Sequence, residues 1–135
     1  MIAPSPQPRP RRRAAAAGWL AFLVLLAVVI TDGPFHRTDV IGEPGRQPAS
    51  VRYDDGSAHY VGVVERSSLL FGRHRAYDLY TGRDPELGYG HFVRLGFGGG
   101  PPEIQSAHWD ETGVQVTFAS GHRLFVPARH YVGGR

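Results

Sequence analysis

Ala14 to Ile30 reads AAAAGWLAFLVLLAVVI, seventeen consecutive residues without a charge or a strongly polar group, closed by Thr31, Asp32, Gly33 and Pro34. As a helix rising roughly 1.5 Å per residue, this stretch is about 25 Å long, near the short end of what spans a hydrocarbon core of about 30 Å. A cleaved secretory signal shares its basic start and apolar middle. The cleavage site is the difference, because the run ends in Val28, Val29 and Ile30 instead of a small-x-small motif. A buried soluble helix is the third reading. The length and flank rules favour an uncleaved transmembrane signal anchor over 14–31.

Orientation follows from the flanks. Arg9, Arg11, Arg12 and Arg13 precede the run, whereas the fifteen residues after Ile30 hold Asp32, Asp39 and Glu43 against Arg37 alone. Positive charge stays inside, so the expectation is a cytoplasmic-membrane protein with residues 1–13 as a disordered basic cytoplasmic tail and the C-terminal domain extracytoplasmic. From Asp32 onward the balance is 11 Arg against 12 Asp and Glu. The overall charge of +3 therefore describes a tail and not a nucleic-acid-binding face. There is no cysteine, so an exported domain must hold by its own core without disulfides.

Residues 32–50 contain Pro34, Pro44 and Pro48 with Gly33, Gly42 and Gly45 between them and read as a Pro/Gly-rich spacer. After it come short apolar or alternating runs separated by turn chemistry, with no helical period sustained for three turns. Residues 51–132 are thus expected to form an all-β domain, a small antiparallel sandwich or partly open barrel of about six to seven strands. Asp55-Gly56 predicts a two-residue hairpin between 51–54 and 57–65. The last three runs, 104–109, 114–118 and 122–126, predict a meander. A three-residue turn with Gly121 in the left-handed conformation sets Val114 opposite Val126 and Val116 opposite Leu124. One face then carries Ala107, Trp109, Val114, Val116, Phe118, Leu124 and Val126. On this division residues 46–135 suffice for a soluble, cooperatively folding domain.

Seven histidines follow residue 35, without HxH, HxxxH or HExxH spacing. In the meander register His108 and His122 lie on opposite faces, about 10 Å apart along the strand, too far to share one ion. No metal site and no cofactor are assigned. The serines lack a GxSxG elbow, the carboxylates Asp84, Glu86, Asp110 and Glu111 fall in loops, and Gly96 to Pro101 lacks the ending and the following helix of a phosphate loop. No catalytic residue is assigned. What remains is the segment 77–91, which gathers Tyr77, Tyr80, Arg83, Tyr89 and His91, residue types enriched at binding hot spots. The expected function is a non-catalytic binding or interaction module for an envelope protein or component, meeting a protein partner at the membrane surface. The alternatives are a small exported hydrolase using His and Asp residues, with His91, His122 or His130 against a carboxylate, or a His-based metal or pH sensor.

Overall fold

The computed structural model describes residues 10–32, 36–69, 72 and 75–133. The expected tail lies outside them up to residue 9. The helix α1, Pro10–Asp32, begins earlier than the apolar run and takes in Arg11, Arg12 and Arg13. Proline suits a first helical position because its missing N–H would have no partner there. From Ala14 to Val29 every side chain is exposed, Trp19, Leu20 and Leu25 among the most open. Among the described residues no helix is long and apolar enough to cross a membrane.

Among the described residues the helix is followed by seven strands in two antiparallel sheets. The first sheet has the order β1 (His36–Arg46), β2 (Tyr60–Ser68), β3 (Ala76–Gly82), β4 (His91–Leu95). The second is the meander β5 (Ile104–Asp110), β6 (Gly113–Phe118), β7 (Arg123–Pro127), followed by a 3-10 turn, Ala128–His130. Among the described residues no ladder joins the sheets, which sets aside the barrel half of the expectation. Their inner faces share one core: Val61, Val63, Leu79 and Leu95 from the first, Trp109, Val114, Val116, Phe118 and Val126 from the second.

The meander has the expected register, with Trp109 opposite Val114, Val114 opposite Val126 and Val116 opposite Leu124. Gly121 turns at φ +85°, and its N–H closes on the Phe118 carbonyl at 2.8 Å. All seven side chains assigned to the buried face belong to the core.

Two expectations are corrected. The stretch 32–50 is not a spacer, because β1 occupies most of it and pairs with β2 from His36↔Ser68 to Arg46↔Tyr60, with a bulge between Ile41 and Gly45. Gly42, Glu43 and Pro44 sit in that bulge, on an edge strand where a proline breaks no ladder bond. A domain starting at residue 46 would lose this strand. Second, Asp55-Gly56 turns a loop and not a hairpin: residues 47–59 are irregular, and the true partners of β2 are β1 and β3. Gln47 closes this loop, its N–H donating to the His59 carbonyl at 2.8 Å and its side-chain amide to the Val51 carbonyl at 2.6 Å.

Candidate functional site

On its outer face the first sheet is also covered. Residues 83–90, between β3 and β4, fold back over it and drive Leu87 into a second small core with Val64 and Tyr80, flanked by Tyr60 and Phe92. Gly62 leaves the notch that accepts Leu87; a Cβ there would collide with the leucine Cδ1. Leu87 pays with its backbone, φ +58°, a region unfavourable to a side-chain-bearing residue by roughly 1–2 kcal/mol. Burying a leucine gains about 1.5–3 kcal/mol, so the burial wins.

Asp84 holds the loop in that shape. Its carboxylate accepts from the backbone N–H groups of Glu86 (3.0 Å), Gly88 (2.9 Å) and Tyr89 (3.1 Å). These bonds hold its pKa below the usual carboxylate value. From beneath, the Tyr80 hydroxyl accepts the Asp84 N–H at 3.0 Å and donates to the Tyr89 carbonyl at 2.8 Å. What the loop exposes is the Tyr89 ring, 67% open to solvent.

Tyr89 opens onto a cleft of about 620 Å³ at the end of the inter-sheet core. Arg83, Asp84 and Tyr89 form one wall and His91 another, while Arg129, His130 and the turn Tyr131–Gly133 supply the third. Strand geometry explains His91: it pairs with Thr81, on the face that carries Leu79 and Val93, one step past the core's last apolar layer. Its ring meets that of His130 edge-on, centroids 4.9 Å apart. Partial burial first, and the neighbouring His130 second, hold the His91 pKa below the usual histidine value. Thr81 lines the same cleft, wholly buried, and among the described residues its hydroxyl has no hydrogen-bond partner.

The five residues singled out by sequence thus separate. Arg83, Tyr89 and His91 line the cleft. Tyr80 is wholly buried as the loop's anchor, and Tyr77 packs against the main core from β3. Sequence reasoning read Asp84 as a solvated loop acid, although Asp-Pro-Glu-Leu-Gly carries the signature of a turn closed by its own aspartate. For Arg129 there was no local signal, since the 3-10 turn reaches the cleft only through the β6–β7 pairing and the bond from the Ala128 N–H to the Thr112 carbonyl, 2.8 Å.

Behind the cleft lies a buried polar group that the sequence did not disclose. His59 is 0% exposed. Its Nδ1 lies 2.9 Å from Gln47 Oε1 and its Nε2 lies 3.2 Å from Asp55 Oδ2, without an aligned hydrogen bond at Nε2. Gln47 directs its NH₂ at Val51, so Oε1 faces the ring and Nδ1 carries the proton. Burial, outweighing the attraction of Asp55, lowers the His59 pKa. Asp55 also accepts from the N–H of Ser57 at 3.1 Å and of Gly133 at 3.4 Å, tying the 47–59 loop to the turn that floors the cleft. Tyr53 and Tyr131 join hydroxyls at 2.7 Å, and Tyr53 donates to the Asp110 carbonyl at 2.9 Å. Burial raises both phenols, Tyr131 the more.

A hydrolase needs a histidine that meets both a carboxylate and a substrate. His59 meets a carboxylate, Asp55, but solvent does not reach it. His122 stacks on Phe97, centroids 4.6 Å apart at 6°, and its Nδ1 meets Ser120 Oγ at 2.9 Å on an exposed turn. Among the described residues no group of three or more His, Cys, Asp or Glu side chains could hold a metal ion. A second cavity, about 570 Å³, lies among residues 46–58. Set beside family models, curated proteins and solved structures, the chain matches none of them.

Proposed function

We propose that the chain is a single-pass membrane protein displaying a small extracytoplasmic β sandwich as a non-catalytic binding module, with its binding surface at the cleft beside Tyr89. The observation that carries the reading is the strained loop. Leu87 in a left-handed conformation, three amide bonds to Asp84 and the Tyr80 brace fix residues 83–90 through contacts of the chain itself. Such preorganisation has a use where Tyr89 and Arg83 must meet a partner at small entropic cost.

Membrane attachment is supported by the helix itself. A helix apolar on every side suits a large protein's core or a lipid phase, and among the described residues nothing covers it from Ala14 to Val29. Its described apolar run is shorter than a typical hydrocarbon core, but the helix continues through the arginines at one end and to Asp32 at the other, 23 residues or about 35 Å in all. Charged positions then fall near the headgroups on both sides, the arginines on the cytoplasmic side. β1 starts four residues after the helix ends, so the module stays close to the membrane surface.

The test is mild cross-linking of the full-length protein in its native membrane, comparing the wild type with Arg83→Ala/Tyr89→Ala and with Arg123→Ala, an exposed position on β7. One stoichiometric partner, lost in the double variant and kept in the β7 control, is the expected outcome. A partner kept in all three, or none in any, would overturn the reading.

A further inference from the structure

The cleft is cationic in a particular way. Arg83 and Arg129 both line it, and among the described residues neither forms a salt bridge. The acid in the wall, Asp84, has its oxygens engaged by backbone N–H groups of its own loop. Asp55, which feels Arg83 and accepts the Gly133 N–H at the cleft floor, brings a second carboxylate, so the two guanidinium groups are balanced and each imidazolium formed at the His91–His130 contact makes the cleft net positive. With ring centroids 4.9 Å apart, two imidazolium ions repel unless negative charge comes between or beside them. A single carboxylate balances one of them. A doubly charged anion balances both, and the planar guanidinium forks suit its oxygens.

We infer that this cleft binds a dianionic phosphate-type group, the head of a phosphate monoester, through Arg83, Arg129, His91 and His130, with inorganic sulfate as its soluble mimic. The inference rests on the binding-module reading and names the chemistry that the module recognises. The group can come from a soluble phosphomonoester or from a monoester lipid headgroup at the membrane surface.

Binding is then linked to proton uptake. The groups facing His91 are His130 and Arg129 on the 3-10 turn, Arg83, Asp84 and Tyr89 on the loop, and Tyr131 at the floor. Burial and His130 disfavour its proton, and the anion favours it. Sulfate, which keeps its charge at every relevant pH, should bind several-fold more tightly at pH 5.5 than at 7.5, because the anion favours the protonated His91 ring.

The experiment follows the histidine ring proton signals of the full chain in nonionic detergent while sodium sulfate or inorganic phosphate is added against sodium chloride of equal ionic strength. A parallel series uses phosphatidylcholine nanodiscs with and without phosphatidic acid. Saturable movement of the His91 and His130 signals, absent from His36, His108 and His122 and lost in Arg129→Gln, is expected. A response to the soluble anions identifies a soluble ligand, and a response confined to phosphatidic acid identifies the headgroup; either supports the inference. Rings that stay still, that all move alike, or that respond equally in Arg129→Gln overturn it. If they stay still while the cross-link dependent on Arg83 and Tyr89 persists, the binding module stands and the anion site alone falls.

Discussion

Leu87 carries opposed terms whose balance can be read separately. Its side chain is 1% exposed against Gly62, Val64 and Tyr80, while its backbone sits at φ +58°. Replacing it by alanine removes the burial and keeps the strain, a loss of about 2–4 kcal/mol. Glycine removes the burial and the strain together. In an ordinary loop or strand, glycine is less stable than alanine by roughly 0.5–1 kcal/mol because it gives up more backbone freedom. Here the order should reverse, with Leu87→Gly more stable than Leu87→Ala by up to about 1 kcal/mol. Urea unfolding of the two variants decides it; alanine the more stable of the pair would mean that the loop relaxes out of the left-handed region and is not held as argued for Tyr89.

At the scale of elements, the same sequence was legible in one sheet and opaque in the other, for a physical reason. In β5 to β7 each strand pairs with its neighbour in the chain, so alternation and the Gly121 turn fix register by local rules. β1 has no such support. Its residues HRTDVIGEPGR are mostly exposed, and their glycines and proline are those of a spacer; what makes them a strand is the open edge of β2, fourteen residues further on. The segment 77–91 is legible as a concentration of Tyr, Arg and His, but its part 83–90 is not legible as a plug, because the notch at Gly62 exists only once β2 and β3 pair. For the same reason Arg129 and His59 escaped notice, since both are placed by contacts between distant segments. A truncation series tests the role given to β1. Residues 36–135 should unfold cooperatively, with β-type circular dichroism. Residues 46–135 lose the Ile41 contribution to the core and expose β2 as a new edge, and should melt at a lower temperature or aggregate. Equal melting temperatures for the two fragments would return β1 to the status of a linker.

For the whole molecule, the interior histidines set how stability follows pH. His59 and His91 both have pKa values below the usual histidine value, the first through burial against Gln47 and Asp55, the second through burial beside His130. The folded state therefore binds fewer protons than the unfolded chain, and stability is fully present above the unfolded histidine pKa of about 6.5 and declines as pH falls below it. Each wholly buried histidine can contribute a slope of up to about 1.4 kcal/mol per pH unit; His59 comes closest to that, and the half-buried His91 contributes less. The carboxylates of Asp55, Asp84 and Asp110, held low by the hydrogen bonds of their turns, act in the same direction only at much lower pH, below about 3.8. In a chloride buffer the urea midpoint should consequently fall steadily from pH 7 to pH 5. An anion in the cleft favours the protonated His91, so at pH 5.5 added sulfate should recover part of that loss in the wild type beyond the general salting effect measured in Arg129→Gln. A midpoint that is flat or rises on acidification would mean that His59 and Asp55 carry a proton between them as an ion pair in the folded state. The link through Gly133 from that pair to the cleft floor would then tighten, and not loosen, in acid.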